Sequence, residues 1–126
     1  MEVPIHKQGD FLVASIPATL SDDAWKRFQH ALIAQITSQR SQGVLIDVTA
    51  LDVLDSFATR ILRNTTQMAK LRGAVSVIVG IQPEVALSMV QLGLTSRLQD
   101  VLTALDVEGG FAQLEAWTGG RGHGFG

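Results

Sequence analysis

The chain has no cysteine and no tyrosine, only three prolines, and aromatic residues fill just 6% of its 126 positions. Without cysteine there are no disulfides, no thiolate zinc sites and no cysteine nucleophile. Charge is sparse and balanced, with 12 acidic side chains against 10 basic ones and a formal net charge of -2. That leaves no basic surplus to neutralise phosphates, so no nucleic-acid partner is expected. Long apolar runs are missing too. The uninterrupted ones extend only a few residues, far below the roughly 20 a membrane-spanning helix needs, and no apolar stretch of signal-peptide length follows Met1 to Asp10. What the chain does have is a hydrophobic content of 46%, the average of a globular domain and enough for one core at this length. These features together lead us to expect a soluble, single-domain protein of a reducing compartment, the cytoplasm, with no membrane partner.

The period of the apolar residues changes along the chain and marks its elements. Val3, Ile5 and then Phe11 to Ile16 read as two short strands, joined by Gln8-Gly9-Asp10 as a hairpin turn. Ser21-Asp22-Asp23 reads as a helix start, with acids where the helix dipole favours them. Trp25, Phe28, Leu32 and Ile36 follow at spacings of three and four, with Gly43 as the expected stop. Val44-Leu45-Ile46-Asp47-Val48 suits a central strand covered on both faces. A helix over Ser56 to Arg72, capped by Gly73, carries Phe57, Ile61, Leu62, Thr65, Met68 and Ala69 on one stripe. A second buried strand is Val75 to Gly80. Pro83 opens a helix to about Leu92, closed by Gly93. A weak strand near Leu98 to Leu102 and a helix from Asp106 to Trp117 complete the set.

Strands alternating with helices imply βαβ crossovers and an α/β fold. The mostly parallel sheet should have four to five strands, with about four helices. Residues 118–126 hold five of the 12 glycines and read as a flexible Gly-rich tail beyond a domain spanning 1–117.

Enzymatic chemistry finds little support. His6, His30 and His123 are isolated and have no partner at metal-ligand spacing. There is no nucleophile elbow, no P-loop and no dinucleotide fingerprint. Neither catalytic residues, nor a metal, nor a cofactor is therefore expected. Asp47 lies at the carboxyl end of a buried strand, where open α/β sheets place ligands. A phospho-acceptor aspartate there would need further carboxylates after the first strands and a later lysine. Pro17-Ala18-Thr19-Leu20 and the absence of lysine after Lys70 deny both. Asp47 is instead expected to accept hydrogen bonds from backbone N–H groups of the following loop.

The most informative segment runs from Asp47 to Phe57. Asp55 and Ser56 stand where the loop becomes a helix, so one of them should be the N-cap. Ser56 is also a physically sensible phosphorylation site, because orphan N–H groups and the helix dipole both favour a dianion. Asp52 and Asp55 would partly oppose that charge and Arg60, one turn on, would support it. The two roles are compatible. Nearby Leu51, Val53 and Leu54 either supply part of a self-association contact or pack beneath their own loop.

The order of elements, the strand Val44-Leu45-Ile46-Asp47, the helix start Leu54-Asp55-Ser56-Phe57, Gly80-Ile81-Gln82-Pro83 and Leu92-Gly93-Leu94 together resemble a STAS domain, the fold of anti-sigma-factor antagonists. The resemblance covers about residues 1 to 117 and is greatest to the RsbS-type single-domain components of the bacterial stressosome. Asp55-Ser56-Phe57 stands where many antagonists carry Asp-Ser-Ser-Gly. The resemblance implies a phosphorylatable scaffold rather than an enzyme. Its expected partners are an RsbR-type STAS paralogue, an RsbT-type serine/threonine kinase, an RsbX-type phosphatase and further copies of itself, as a dimer or larger homo-oligomer. It implies phosphorylation at Ser56, with Asp52, Asp55, Thr59 and Arg60 as candidates for the kinase interface; Thr59 does not match an acceptor position. The alternative is a STAS module that binds a nucleotide or another small ligand.

Overall fold

The computed structural model describes residues 3–123 of the chain. Strands β1 (Ile5–Gln8) and β2 (Phe11–Ser15) form an antiparallel hairpin closed by Gly9 and Asp10. Helix α1 (Asp22–Gln39) leads to β3 (Gly43–Asp47), α2 (Ser56–Leu71) to β4 (Val75–Val79), and α3 (Pro83–Gln91) through a 3-10 turn at Thr95–Leu98 to β5 (Leu102–Ala104). Helix α4 (Val107–His123) ends the described chain. The sheet order is β1-β2-β3-β4-β5, and all pairings from β2 to β5 are parallel. The expected α/β architecture is therefore present, with five strands and four helices.

Chain order equals sheet order, so successive right-handed crossovers are expected to stack their helices on one face. Trp25, Phe28, Leu32 and Ile36 of α1, Ile61 and Leu62 of α2, and Val85 and Met89 of α3 join Leu12, Ala14, Val44, Ile46 and Ile78 of the sheet in the larger core. The opposite face holds Val13, Leu45, Val77 and Val79, covered by Leu114 of α4. Val44, Leu45 and Ile46 are all fully buried. A strand covered on both sides reads as an unbroken apolar run, the pattern seen in the sequence. Helices α1 and α2 also meet through a polar link, in which the Gln29 Nε2 donates to the Thr65 hydroxyl at 3.1 Å.

Helix ends follow local chemistry. Ser21 caps α1 by accepting from the Ala24 N–H at 3.1 Å. Past α2, the N–H groups of Gly73 and Ala74 donate to Lys70 and Ala69 carbonyls, and past α3 those of Gly93 and Leu94 donate to Val90 and Met89. Both are Schellman closures with a glycine at positive φ.

Three boundaries differ from the sequence expectation. Helix α1 stops at Gln39 with Arg40 in the left-handed region, and Gly43 instead opens β3. A Cβ at that position would meet the Phe11 ring at 2.7 Å, so glycine there answers a packing need rather than a cap. The strand expected near Leu98 to Leu102 is displaced. Leu98 closes the 3-10 turn with its side chain buried, and pairing with β4 begins at Leu102. Helix α4 passes Trp117 and extends to His123. Residues 124–126, the remainder of the tail expected to be flexible, lie outside the described residues.

Candidate functional site: the loop after β3 and the start of α2

Asp47 ends β3 with its carboxylate turned into the following loop. One oxygen accepts from the Thr49 N–H at 2.9 Å and from the Thr49 hydroxyl at 2.5 Å, as expected for an acid that organises its own loop. The loop is held at further points. The Val48 N–H donates to Val79 and that of Asp52 to Ala18, each at 3.0 Å. Leu51 and Leu54 are buried in the larger core, which settles the two readings offered for them: they pack beneath the loop. Val53 alone of the three faces outward, 62% exposed.

This anchoring delivers the chain to α2 in a defined pose. Asp55 is the N-cap, extended at φ -79° and ψ -177°, close to the geometry of Ser21 at φ -70° and ψ 164°. Its carboxylate accepts from the Ala58 N–H at 2.8 Å. Because Asp55 fills that role, Ser56 becomes the first helical residue and is exposed, and among the described residues its hydroxyl has no hydrogen-bond partner.

Four neighbours were candidates for an interface around Ser56. Asp52, Asp55 and Arg60 are exposed, as Ser56 is. Thr59 is not: it is fully buried, and its hydroxyl donates to the Asp55 carbonyl at 2.7 Å. Three positions past Ser56, it has turned to the core side of α2, and it is withdrawn from any docking surface.

Sequence patterns gave no reason to single out Lys26. It lies on the exposed side of α1, yet the packing of α1 against α2 brings its Nζ to 5.9 Å from the centroid of the half-buried Phe57 ring. The Arg60 Cζ lies 5.7 Å from the same centroid. Two cations from two helices thus converge on the residue next to Ser56, within cation–π range.

A shallow groove lies at the carboxyl edge of the sheet, lined by Thr49, Gly80, Gln82 and Pro83 on one side and Leu105, Asp106 and Glu108 on the other. Gln82 donates its side-chain amide to the Thr49 carbonyl. Asp106 already caps α4 by accepting from the Gly109 N–H at 2.8 Å. Among the described residues no group of three or more His, Asp or Glu side chains is placed to hold a metal ion, and His6 and His30 are exposed and apart from the Ser56 region. No helix of the described residues is long and apolar enough to cross a membrane.

A STAS-domain family model matches residues 2–108, and the chain belongs to that family. Within it, the likeness is to stressosome proteins. A solved Ser→Glu variant of Moorella thermoacetica RsbS is 36% identical, with a TM-score of 0.78 over 92% of this chain and 97% of that one. A chain of the solved stressosome, described as a signal integration and transduction hub, is also 36% identical, with a TM-score of 0.76 over 91% of this chain and 98% of that one. RsbRA of Bacillus subtilis (strain 168), an RsbT co-antagonist, is 31% identical over 101 residues, which is 80% of this chain and 35% of that protein. The chain thus spans about a third of the length of that longer relative. It is a STAS-domain protein with homologues of both RsbS and RsbR type.

Proposed function

We propose that this chain is a phosphorylatable scaffold of a stressosome-type complex, holding an RsbT-type serine/threonine kinase and releasing it when Ser56 is phosphorylated. The observation that carries this reading is the pose of Ser56: an exposed hydroxyl with no hydrogen-bond partner among the described residues, at the first position of α2, on a loop anchored by the Asp47–Thr49 bonds and by buried Leu51 and Leu54.

The switch needs little structural change. Asp55, not Ser56, caps α2, so esterifying the Ser56 hydroxyl leaves the cap intact. The phosphate adds about -1.5 to -2 charge beside exposed Asp52 and Asp55. A partner face that excludes water there meets desolvation cost and like-charge repulsion. A coupling of about 1–3 kcal/mol suffices to change affinity roughly 5–150-fold. The partners that follow are an RsbR-type paralogue in a cytoplasmic assembly, the kinase itself and an RsbX-type phosphatase that resets the site, with the chain acting as scaffold and not as enzyme.

The small-ligand alternative would use the groove at the carboxyl edge of the sheet. Asp106 and Glu108 on its wall disfavour the phosphates of a nucleotide, so the switch is preferred. Incubation with an RsbT-type kinase and ATP, followed by mass spectrometry, tests the choice. A single phosphate on Ser56 is expected. Phosphate elsewhere, or none together with nucleotide retained when the kinase is left out, would overturn the reading.

A further inference from the structure

Lys26 and Arg60 come from different helices, both are exposed, and both approach one aromatic ring. Among the described residues neither forms an ion pair; their contact is the face of Phe57. At exposed sites each such cation–ring contact is worth only about 0.5–1 kcal/mol. The arrangement is therefore easily given up for a stronger counter-charge. Ser56 precedes Phe57 directly, and Arg60 is its i+4 neighbour on the helix, the spacing at which side chains meet. Lys26 is placed by the α1–α2 packing alone.

Resting on the reading of Ser56 as the modified residue, we propose that Lys26 and Arg60 are the receiving pair for its phosphate, leaving the Phe57 ring to bind the dianion. Charge-assisted N–H···O bonds from an ammonium and a guanidinium to phosphate oxygens are stronger than a cation–ring contact in water. The modified serine is thereby tethered to α1 as well as α2. Asp52 and Asp55, exposed and close in the chain to Ser56, act in the opposite sense. The phosphorylated surface is then not a bare dianion but a fixed one, with its charge oriented by two helices and the ring uncovered beside it.

The test uses the full chain with phosphoserine installed at position 56 during translation, so that no kinase is involved. The second pKa of the phosphate is followed by phosphorus NMR in the wild-type background and in Lys26→Gln, Arg60→Gln and the double variant. Both substituted side chains are exposed, and the acids are common to all four proteins. An unperturbed phosphoserine titrates near about 6. Each single substitution is expected to raise the measured pKa, and the double variant to raise it by about 1 unit. An unchanged pKa in Lys26→Gln would overturn the cross-helix pair, whatever Arg60→Gln does. A failure of the kinase to modify Ser56 would show in the kinase assay above and would leave this titration unaffected, so the two ideas fail separately.

Discussion

Gly80 lies so close to Thr49 that a Cβ on the glycine would sit 2.0 Å from the Thr49 hydroxyl oxygen and 3.2 Å from the Thr49 Cα. The contact ties the end of β4 to the loop that leads to Ser56, and Gly80 reaches it at φ +81°. Gly80→Ala therefore suffers twice, from the left-handed backbone and from the clash. A stability loss of about 1–3 kcal/mol is expected, read as a lower urea midpoint. Adding Thr49→Ala should recover the part due to the hydroxyl clash and leave the backbone part, a non-additive pair.

At the head of α2, the cap and the neighbouring hydroxyl have different roles. Asp55→Ala removes the bond to the Ala58 N–H and should cost about 1 kcal/mol. Ser56→Ala removes a side chain with no partner among the described residues and should stay within about 0.5 kcal/mol of the parent. Paired urea titrations check the contrast. Equal losses would mean that Ser56 contributes as much to the helix start as Asp55, against this division of roles.

One core polar atom is out of place. The Ser76 hydroxyl in β4 is buried and has no hydrogen-bond partner among the described residues, a burden of about 1–3 kcal/mol. Ser76→Ala removes that hydroxyl and should raise the thermal midpoint, a gain visible by calorimetry.

The second face of the sheet depends on α4, whose Leu114 is fully buried against Val13, Leu45, Val77 and Val79. Leu114→Ala should cost about 2–5 kcal/mol and accelerate hydrogen exchange in α4 more than in α1 or α2, which pack on the other face.

Much of this architecture was legible in the sequence because it is written locally. The apolar run Val44-Leu45-Ile46 announces a strand covered on both faces, and Asp55-Ser56 announces a helix start. Which of those two residues caps the helix was not legible, since Asp and Ser are near-equal N-caps; geometry chose Asp55. Thr59 was misplaced at the interface because nearness in sequence to Ser56 was allowed to outweigh helical phase, which turns it into the core. A strand as short as Leu102–Ala104 carries too few residues for alternation to show, and the apolar Leu98 before it drew the expected strand toward the wrong residues. Lys26 was invisible for a different reason. Its place beside Phe57 comes from the packing of two helices that are separate in the chain, and no spacing rule encodes that.

The most direct measurement compares the affinity of an RsbT-type kinase for this chain unmodified and carrying phosphoserine at position 56, with Ser56→Ala and Ser56→Asp alongside. Phosphoserine should weaken binding roughly 5–150-fold; Ser56→Ala should hold the kinase and fail to release it when ATP is added, and Ser56→Asp should bind weakly. Equal affinity for the unmodified and phosphorylated proteins would contradict the account.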